Sequence, residues 1–244
     1  MLWQIGTVKG IEIQTPRVKT FTLSLPNWRE HLPGQHYDVR LTAPDGYQAE
    51  RSYSVASNPE QKGEIELAVT LLEDGEVSSY MHNILVPCDL MEVRGPIGGY
   101  FVWNTSMGGP LLLVAGGSGI APLMAMIRHR AATGTMIPTR LLFSSRSLEE
   151  VIYLKELENL VAAHTGLEVF HTLTNAQPPG WTGYSRLIDD KMLREVLATL
   201  GLEPRTYICG PTPLVESVAN NLVRIGLPAA RIRTERFGPT GGKS

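Results

Sequence analysis

The stretch PLLLVAGGSGIAPLMAMIR, residues 110–128, decides the fold. It opens with a continuous apolar run, which suits a strand buried on both faces rather than one with a wet side. Glycines at 116, 117 and 119 then turn the chain, and a helix is predicted from about Ile120 to Ala132. Strand, glycine turn and helix in that order form the first unit of a parallel α/β sheet. Small residues at such a turn let the backbone approach a pyrophosphate, and the helix start offers free N–H groups carrying about half a positive charge. The spacing is Gly117-x-Gly119-x-x-Pro122, so the third glycine of the dinucleotide fingerprint is absent. Two readings stand at this point. Either Gly117, Ser118, Gly119 and Pro122 meet a nucleotide, or they make a tight strand-to-helix turn with no ligand.

Downstream the alternation repeats. TRLLFSS (139–145), LEVFHTLT (167–174), RTYICG (205–210) and RIRTE (231–235) suit strands. SLEEVIYLKELENLVAAH (147–164), DKMLREVLATL (190–200) and PLVESVANNLVRIG (213–226) suit helices. The result is a parallel sheet covered on both sides. After its second strand an NAD site usually carries an acidic residue for the ribose. Here the chain has Ser144, Ser145 and Arg146, a set that suits a 2′-phosphate and hence NADP, or else an ordinary polar loop.

Upstream the rhythm is different. RVKTFTLSL (17–25), QHYDVRLTA (35–43), RSYSVAS (51–57) and EIELAVTLL (64–72) are short strand-like runs. Pro33-Gly34, Asp45-Gly46, Asn58-Pro59 and Asp74-Gly75 are turn signals beside them. Short strands at close spacing predict a small antiparallel β-barrel, interrupted by a helix in VSSYMHNIL (77–85). The glycine-rich segment 105–110 is the linker, so the expected domains are 1–105, the barrel, and 106–244, the α/β domain with a C-terminal tail.

Hydrophobic residues at 43% and charged residues at 19% describe an ordinary globular protein, and a formal net charge of −2 removes the basic footprint that nucleic-acid binding needs. Cys88 and Cys209 are too few for a disulfide framework, a structural zinc or a four-thiolate iron–sulfur cluster. No charged residue occurs from Gly95 to Ile127, yet Pro96, Pro110, Pro122 and paired glycines break that run, so no membrane span is expected. The start, MLWQIGTVKGIEI, lacks the order of a signal peptide, and a cytoplasmic monomer is the expectation. The six histidines, His164 among them, have no metal-ligand spacing and read as surface or packing residues.

Five motifs occur in one order: RSYS (51–54), GEVSS (75–79), GGSGIAP (116–122), ICGP (208–211) and ERF (235–237). In these, and over nearly its whole length, the chain resembles the ferredoxin–NADP reductase superfamily. The resemblance implies an N-terminal FAD-binding barrel followed by a Rossmann-like NAD(P)-binding domain. It implies that Arg51 pairs with the flavin pyrophosphate, with Ser52 beside it in the same motif. Tyr53 would lie against the isoalloxazine ring, and Ser54 would hydrogen-bond flavin N5. Ala68, Val69 and Thr70 would border the flavin nucleotide, while Gly75, Val77 and Ser78 would meet its phosphates. Cys209, Gly210 and Pro211 would flank the nicotinamide, Glu235 would orient it or move protons, and Phe237 would cover the flavin face. Cys88 matches no motif.

Strict alternation puts Arg51 and Tyr53 on one face and Ser54 on the other, so the strand must bend or end near Ser54. Some features depart from the family pattern. Phe237 has no phenol hydroxyl and is followed by the tail GPTGGKS. No aromatic in LAVTLLEDGEVSS is available to stack on the adenine. Asn175 stands where some members have an arginine for the 2′-phosphate, a role left to Arg186, so NADP and NAD both remain open. Family members often continue into an iron–sulfur domain, which the cysteine count places outside this chain. The implied activity is hydride transfer from NAD(P)H to FAD, with electrons passed to a ferredoxin-type or other iron–sulfur or haem protein. The alternatives are a reductase of free flavins or quinones, the electron-transfer subunit of a multicomponent oxygenase, and a non-catalytic flavin subunit.

Overall fold

In a computed structural model of the chain, the described residues are 2–163, 166–198, 200 and 203–238; His164 and most of the C-terminal tail lie outside them. The first six strands are β1 (Gln4–Thr15), β2 (Val18–Ser24), β3 (His36–Thr42), β4 (Gln48–Ser54), β5 (Glu64–Thr70) and β6 (Leu90–Ile97). They form one antiparallel sheet in the order β4-β3-β6-β1-β2-β5. A bridge between Val55 and Leu67 joins the end of β4 to β5, the other edge strand, and closes the sheet into a barrel. Phe21, Leu23, Tyr37, Val39, Ile65, Leu67 and Val93 fill the interior. Helix α1 (Glu76–Asn83) adds Val77 and Met81 to that core.

Two of the six strands give weak signals in the sequence. β1 carries Gly6 and Gly10, and β6 contains Gly95-Pro96, which reads as a turn. The reason for Gly95 is distant in the chain: a Cβ there would lie 2.5 Å from the ring of buried Tyr37.

The second sheet contains β7 (Leu111–Gly116), β8 (Thr139–Ser145), β9 (Leu167–Leu173), β10 (Arg205–Pro211) and β11 (Ile232–Phe237). It is wholly parallel, in the order β11-β10-β7-β8-β9. Helices α2 (Ile120–Ala132) and α3 (Leu154–Ala162) cover one face, and α4 (Asp190–Leu197) and α5 (Thr212–Arg224) the other. Leu111, Leu113 and Ala115 enter the first layer and Leu112 and Val114 the second, which explains the unbroken apolar run.

The helix expected over 147–164 begins only at Leu154, after a single 3-10 turn at Leu148–Glu150. Val151, Ile152 and Tyr153 are all buried, and Tyr153 takes a left-handed φ of 59°. Burial of three consecutive side chains overrides helical periodicity, which can bury only one stripe. Val18, Ala56 and Ala68 of the barrel share a core with residues of α2 and β7, so barrel and parallel sheet meet along an apolar seam. No helix among the described residues is long and apolar enough to cross a membrane.

Candidate active site

Strand β4 ends at Ser54, where the chain leaves β3 and Val55 swings across to Leu67. The strand ends where expected, yet its alternation runs on: Tyr53 and Val55 face the barrel core, while Ser54 and Ala56 face the seam. Arg51 is exposed, its guanidinium donating to the Glu50 carbonyl at 2.6 Å. Tyr53 is half-buried over the barrel core, and burial pushes its phenol up to about 12. The Ser52 side chain is committed within the barrel. Its hydroxyl donates to Asp38 Oδ1 at 2.6 Å, and Asp38 also receives Arg94 Nη2 at 2.7 Å, so a ligand beside Arg51 and Tyr53 is left only its backbone.

Gly75 precedes α1, whose first turn has no side-chain cap, leaving the N–H groups around Val77 and Ser78 available to an anion. The Ser78 hydroxyl is itself committed, donating to Gly75 O at 3.2 Å and accepting from Leu72 N–H at 3.2 Å. A Cβ on Gly75 would sit 2.4 Å from that hydroxyl, which is why the turn needs glycine. Along β5, Ala68 faces the seam and Val69 points into the barrel, its carbonyl 2.9 Å from His82 Nε2. Thr70 is half-buried.

At the carboxyl end of the parallel sheet two turns lie backbone against backbone. Gly117 has φ +53°, and a Cβ on Gly119 would fall 2.2 Å from the carbonyl oxygen of Cys209. Gly210, at φ +153°, would place a Cβ 3.0 Å from Gly116 N. Ser118 is half-buried beside them, and Pro122 lies in the first turn of α2, where a missing N–H costs nothing. Ser145 is buried and its hydroxyl has no partner among the described residues. Arg146 pairs with Glu150 at 2.9 Å and Arg186 with Asp189 at 2.6 Å, while Asn175 N–H donates to the Arg146 carbonyl.

The two halves meet at Ser54, Cys209 and Glu235. Register pairs Cys209 with Glu235 across β10 and β11, and Pro211 with Phe237. Ser54 Oγ donates to Glu235 Oε1 at 3.3 Å across the seam. Burial pushes the Glu235 carboxyl up to about 7, against the opposing pull of the Ser54 hydrogen bond. Cys209 was expected to open into the crevice; instead it is fully buried in the seam core. Burial, and then the charge of Glu235, hold its thiol well above the ordinary range. Its backbone carbonyl, not its thiol, is what the glycine turn closes on. Phe237 packs half-buried against the same core.

The arrangement offers two anion-binding helix starts, one on each sheet, and between them a hydroxyl and a carboxyl able to hold or release a proton near neutrality. The unpartnered Ser145 hydroxyl and the Gly119 contact fit a dinucleotide laid over the parallel sheet. Exposed Arg51 and the uncapped α1 fit a second one on the barrel. Such a molecule offers a candidate nucleotide site on each half, with a protonatable pair between them.

Comparisons with known proteins agree. The family described as oxidoreductase FAD-binding domain matches residues 6–102, and the oxidoreductase NAD-binding domain matches residues 113–220. The chain is 31% identical over 220 residues to NADH-cytochrome b5 reductase 1 of Aspergillus terreus, covering 86% of this chain and 73% of that protein. It is 29% identical over 236 residues to the ferredoxin–NAD(P)(+) reductase component of the naphthalene 1,2-dioxygenase/salicylate 5-hydroxylase systems of a Ralstonia species, covering 97% and 69%. In fold it is similar to a ferredoxin NADP+ reductase from Neisseria gonorrhoeae solved with FAD and NADP, with a TM-score of 0.82, 22% identity and coverage of 96% and 98%. The chain belongs to the ferredoxin reductase superfamily.

Proposed function

We propose that this chain takes hydride from NAD(P)H onto FAD and passes the electrons to an acceptor protein of the ferredoxin, iron–sulfur or haem type. The observation that carries this reading is the Ser54–Glu235 contact, which brings residues from opposite ends of the chain together where the two nucleotide-binding halves meet. The flavin, when bound, supplies the step from two-electron hydride chemistry to single-electron delivery. The chain's own work is to bind, align and manage a proton.

In this proposal residues 1–105 hold FAD and residues 106–244 hold NAD(P). Arg51 and the start of α1 take the flavin's phosphates, and Tyr53 supports its ring. Ser54 would supply a hydroxyl donor to flavin N5. Gly117, Ser118 and Gly119 admit the nicotinamide nucleotide's pyrophosphate, and Gly210 and Pro211 border its ring. Glu235 holds a proton that it shares with Ser54, so the serine hydroxyl is free to donate elsewhere when the carboxyl is protonated. Buried Cys209 keeps the turn close, and Phe237 covers the site from β11. The working unit is a single chain, because both nucleotide sites and the seam are built within it. Two unpaired cysteines suit a reducing compartment such as the cytoplasm.

NADH is the nucleotide the charges favour. A 2′-phosphate would have to draw Arg146 or Arg186 from a carboxylate each already holds, whereas NADH brings no such charge. Anaerobic addition of NADH and NADPH in turn to the FAD-loaded protein tests the reading. Flavin bleaching, faster with NADH, followed by faster reduction of ferredoxin or cytochrome than of free flavin or quinone, is the expected outcome. A flavin that neither nucleotide bleaches refutes it, and preference for a diffusible acceptor would make the chain a flavin or quinone reductase.

A further inference from the structure

One polar cluster in the seam takes no part in the site above. Arg128, on α2, is largely buried, its side chain only 16% exposed. It crosses from the parallel domain to the barrel: Nη1 donates to Glu66 Oε1 at 2.8 Å and to the carbonyl of Ala56 at 2.9 Å. Its other edge forms a two-pronged pair with Glu156 of α3, Nε and Nη2 each 2.7 Å from a carboxylate oxygen. The ring of Tyr153 lies 4.8 Å beneath the guanidinium, and the Tyr153 hydroxyl donates to the same Glu66 oxygen at 2.9 Å. The left-handed turn at Tyr153, which ends the expected helix early, delivers that ring.

The connections on either side give the cluster its meaning. Glu66 belongs to β5, and its backbone carbonyl accepts from Ala56 N–H at 2.8 Å, so Glu66 and Arg128 grip the peptide two residues beyond Ser54. Arg128 also rides on α2, whose first residues follow the glycine turn. Arg128 lies eight positions after Ile120 on the helix, a rigid span of about 12 Å. One end of α2 therefore starts at the glycine turn, where the proposed function puts the nicotinamide nucleotide, and the other is fastened two residues beyond Ser54. The next residue adds a second fastening, His129 Nδ1 lying 2.7 Å from Glu60 Oε1 of the barrel. An apolar seam alone would let the two halves slide, whereas a planar fork held at both edges fixes angle and distance.

We propose that Arg128, acting through Ala56, Glu66 and Tyr153, is a positioning residue that sets the nicotinamide against the flavin. The inference rests on the proposed transfer of hydride between those two groups. Arg128→Lys keeps the charge and loses the fork. Its FAD-loaded form is expected to keep its flavin and its affinity for NADH. Its limiting rate of flavin reduction falls by about tenfold or more, since a misplacement near 1 Å costs up to about a hundredfold. The long-wavelength charge-transfer absorbance of the nicotinamide–flavin pair weakens in parallel. In the flavin-free protein the same variant exchanges amide hydrogens faster over residues 56–66. Tyr153→Phe, which removes one hydroxyl, shows a smaller fall of the same kind and decides the matter if the lysine variant loses its flavin. Wild-type limiting rate and wild-type charge-transfer absorbance in the flavin-retaining variant would overturn the positioning role while leaving the functional reading intact. A wild-type protein that no nicotinamide nucleotide bleaches would overturn both.

Discussion

Replacing Glu235 with glutamine isolates the half-buried carboxyl that faces Ser54. In the folded chain this group titrates at about 7 against an ordinary 4.5, chiefly because burial penalises its charge. Between those two pH values the folded protein holds a proton that the unfolded chain has released. Stability therefore declines as pH rises through this window and levels off above it. At about 1.4 kcal/mol per unit the full effect is roughly 3 kcal/mol, an upper figure because the carboxyl is not wholly enclosed. Glutamine keeps a carbonyl for the Ser54 hydroxyl and removes the titration. The two flavin-free proteins should differ little near pH 4.5, and Glu235→Gln should be the more stable by up to about 3 kcal/mol near pH 8. Urea unfolding at both pH values measures the gap, and carboxyl-selective NMR follows Glu235 itself. A gap that does not change with pH, or a carboxyl titrating near its ordinary value, would refute the reasoning.

Other outcomes follow from the same geometry. Ser145→Ala removes a buried hydroxyl that has no partner among the described residues, so it should leave stability unchanged or raise it by up to about 1 kcal/mol, while weakening nucleotide binding in a fluorescence titration. Loss of stability without loss of affinity would point to a structural hydroxyl. Gly119→Ala drives a Cβ to 2.2 Å from the Cys209 carbonyl, forcing the two turns apart at a cost of about 1–3 kcal/mol. The variant should keep FAD and need more NADH for half-maximal bleaching; unchanged nucleotide dependence would contradict the role given to that turn.

The parallel half was the more legible in the sequence, since β7 is buried on both faces and α2 follows it at once. The barrel was legible only where its strands pair β-branched residues with turn signals. β1 and β6 hide behind glycines whose reason is a contact far along the chain, as with Gly95 under the ring of Tyr37. Within the site, the end of β4 at Ser54 was legible, but the alternation continues past it, so Ser54 lies on the face opposite Tyr53. That Ser52 is tied to Asp38 and that Cys209 is sealed in the core did not follow, because both depend on neighbours from other strands. Arg128 left one local trace, as the first charge after the uncharged run 95–127, on a helix otherwise buried at that level. A cation on such a helix needs partners, but the identity of those at Arg128, Glu66 and Glu156, exists only in three dimensions.

The central claim is that the meeting point of Ser54 and Glu235 is where a nicotinamide delivers hydride to the flavin. Ser54→Ala tests it most directly, by stopped-flow reduction of the FAD-loaded protein at saturating NADH. The account predicts retained flavin and a limiting rate lower by about tenfold or more, since a hydrogen-bond donor at the reacting centre is lost. Flavin reduction at the wild-type rate in that variant would contradict it.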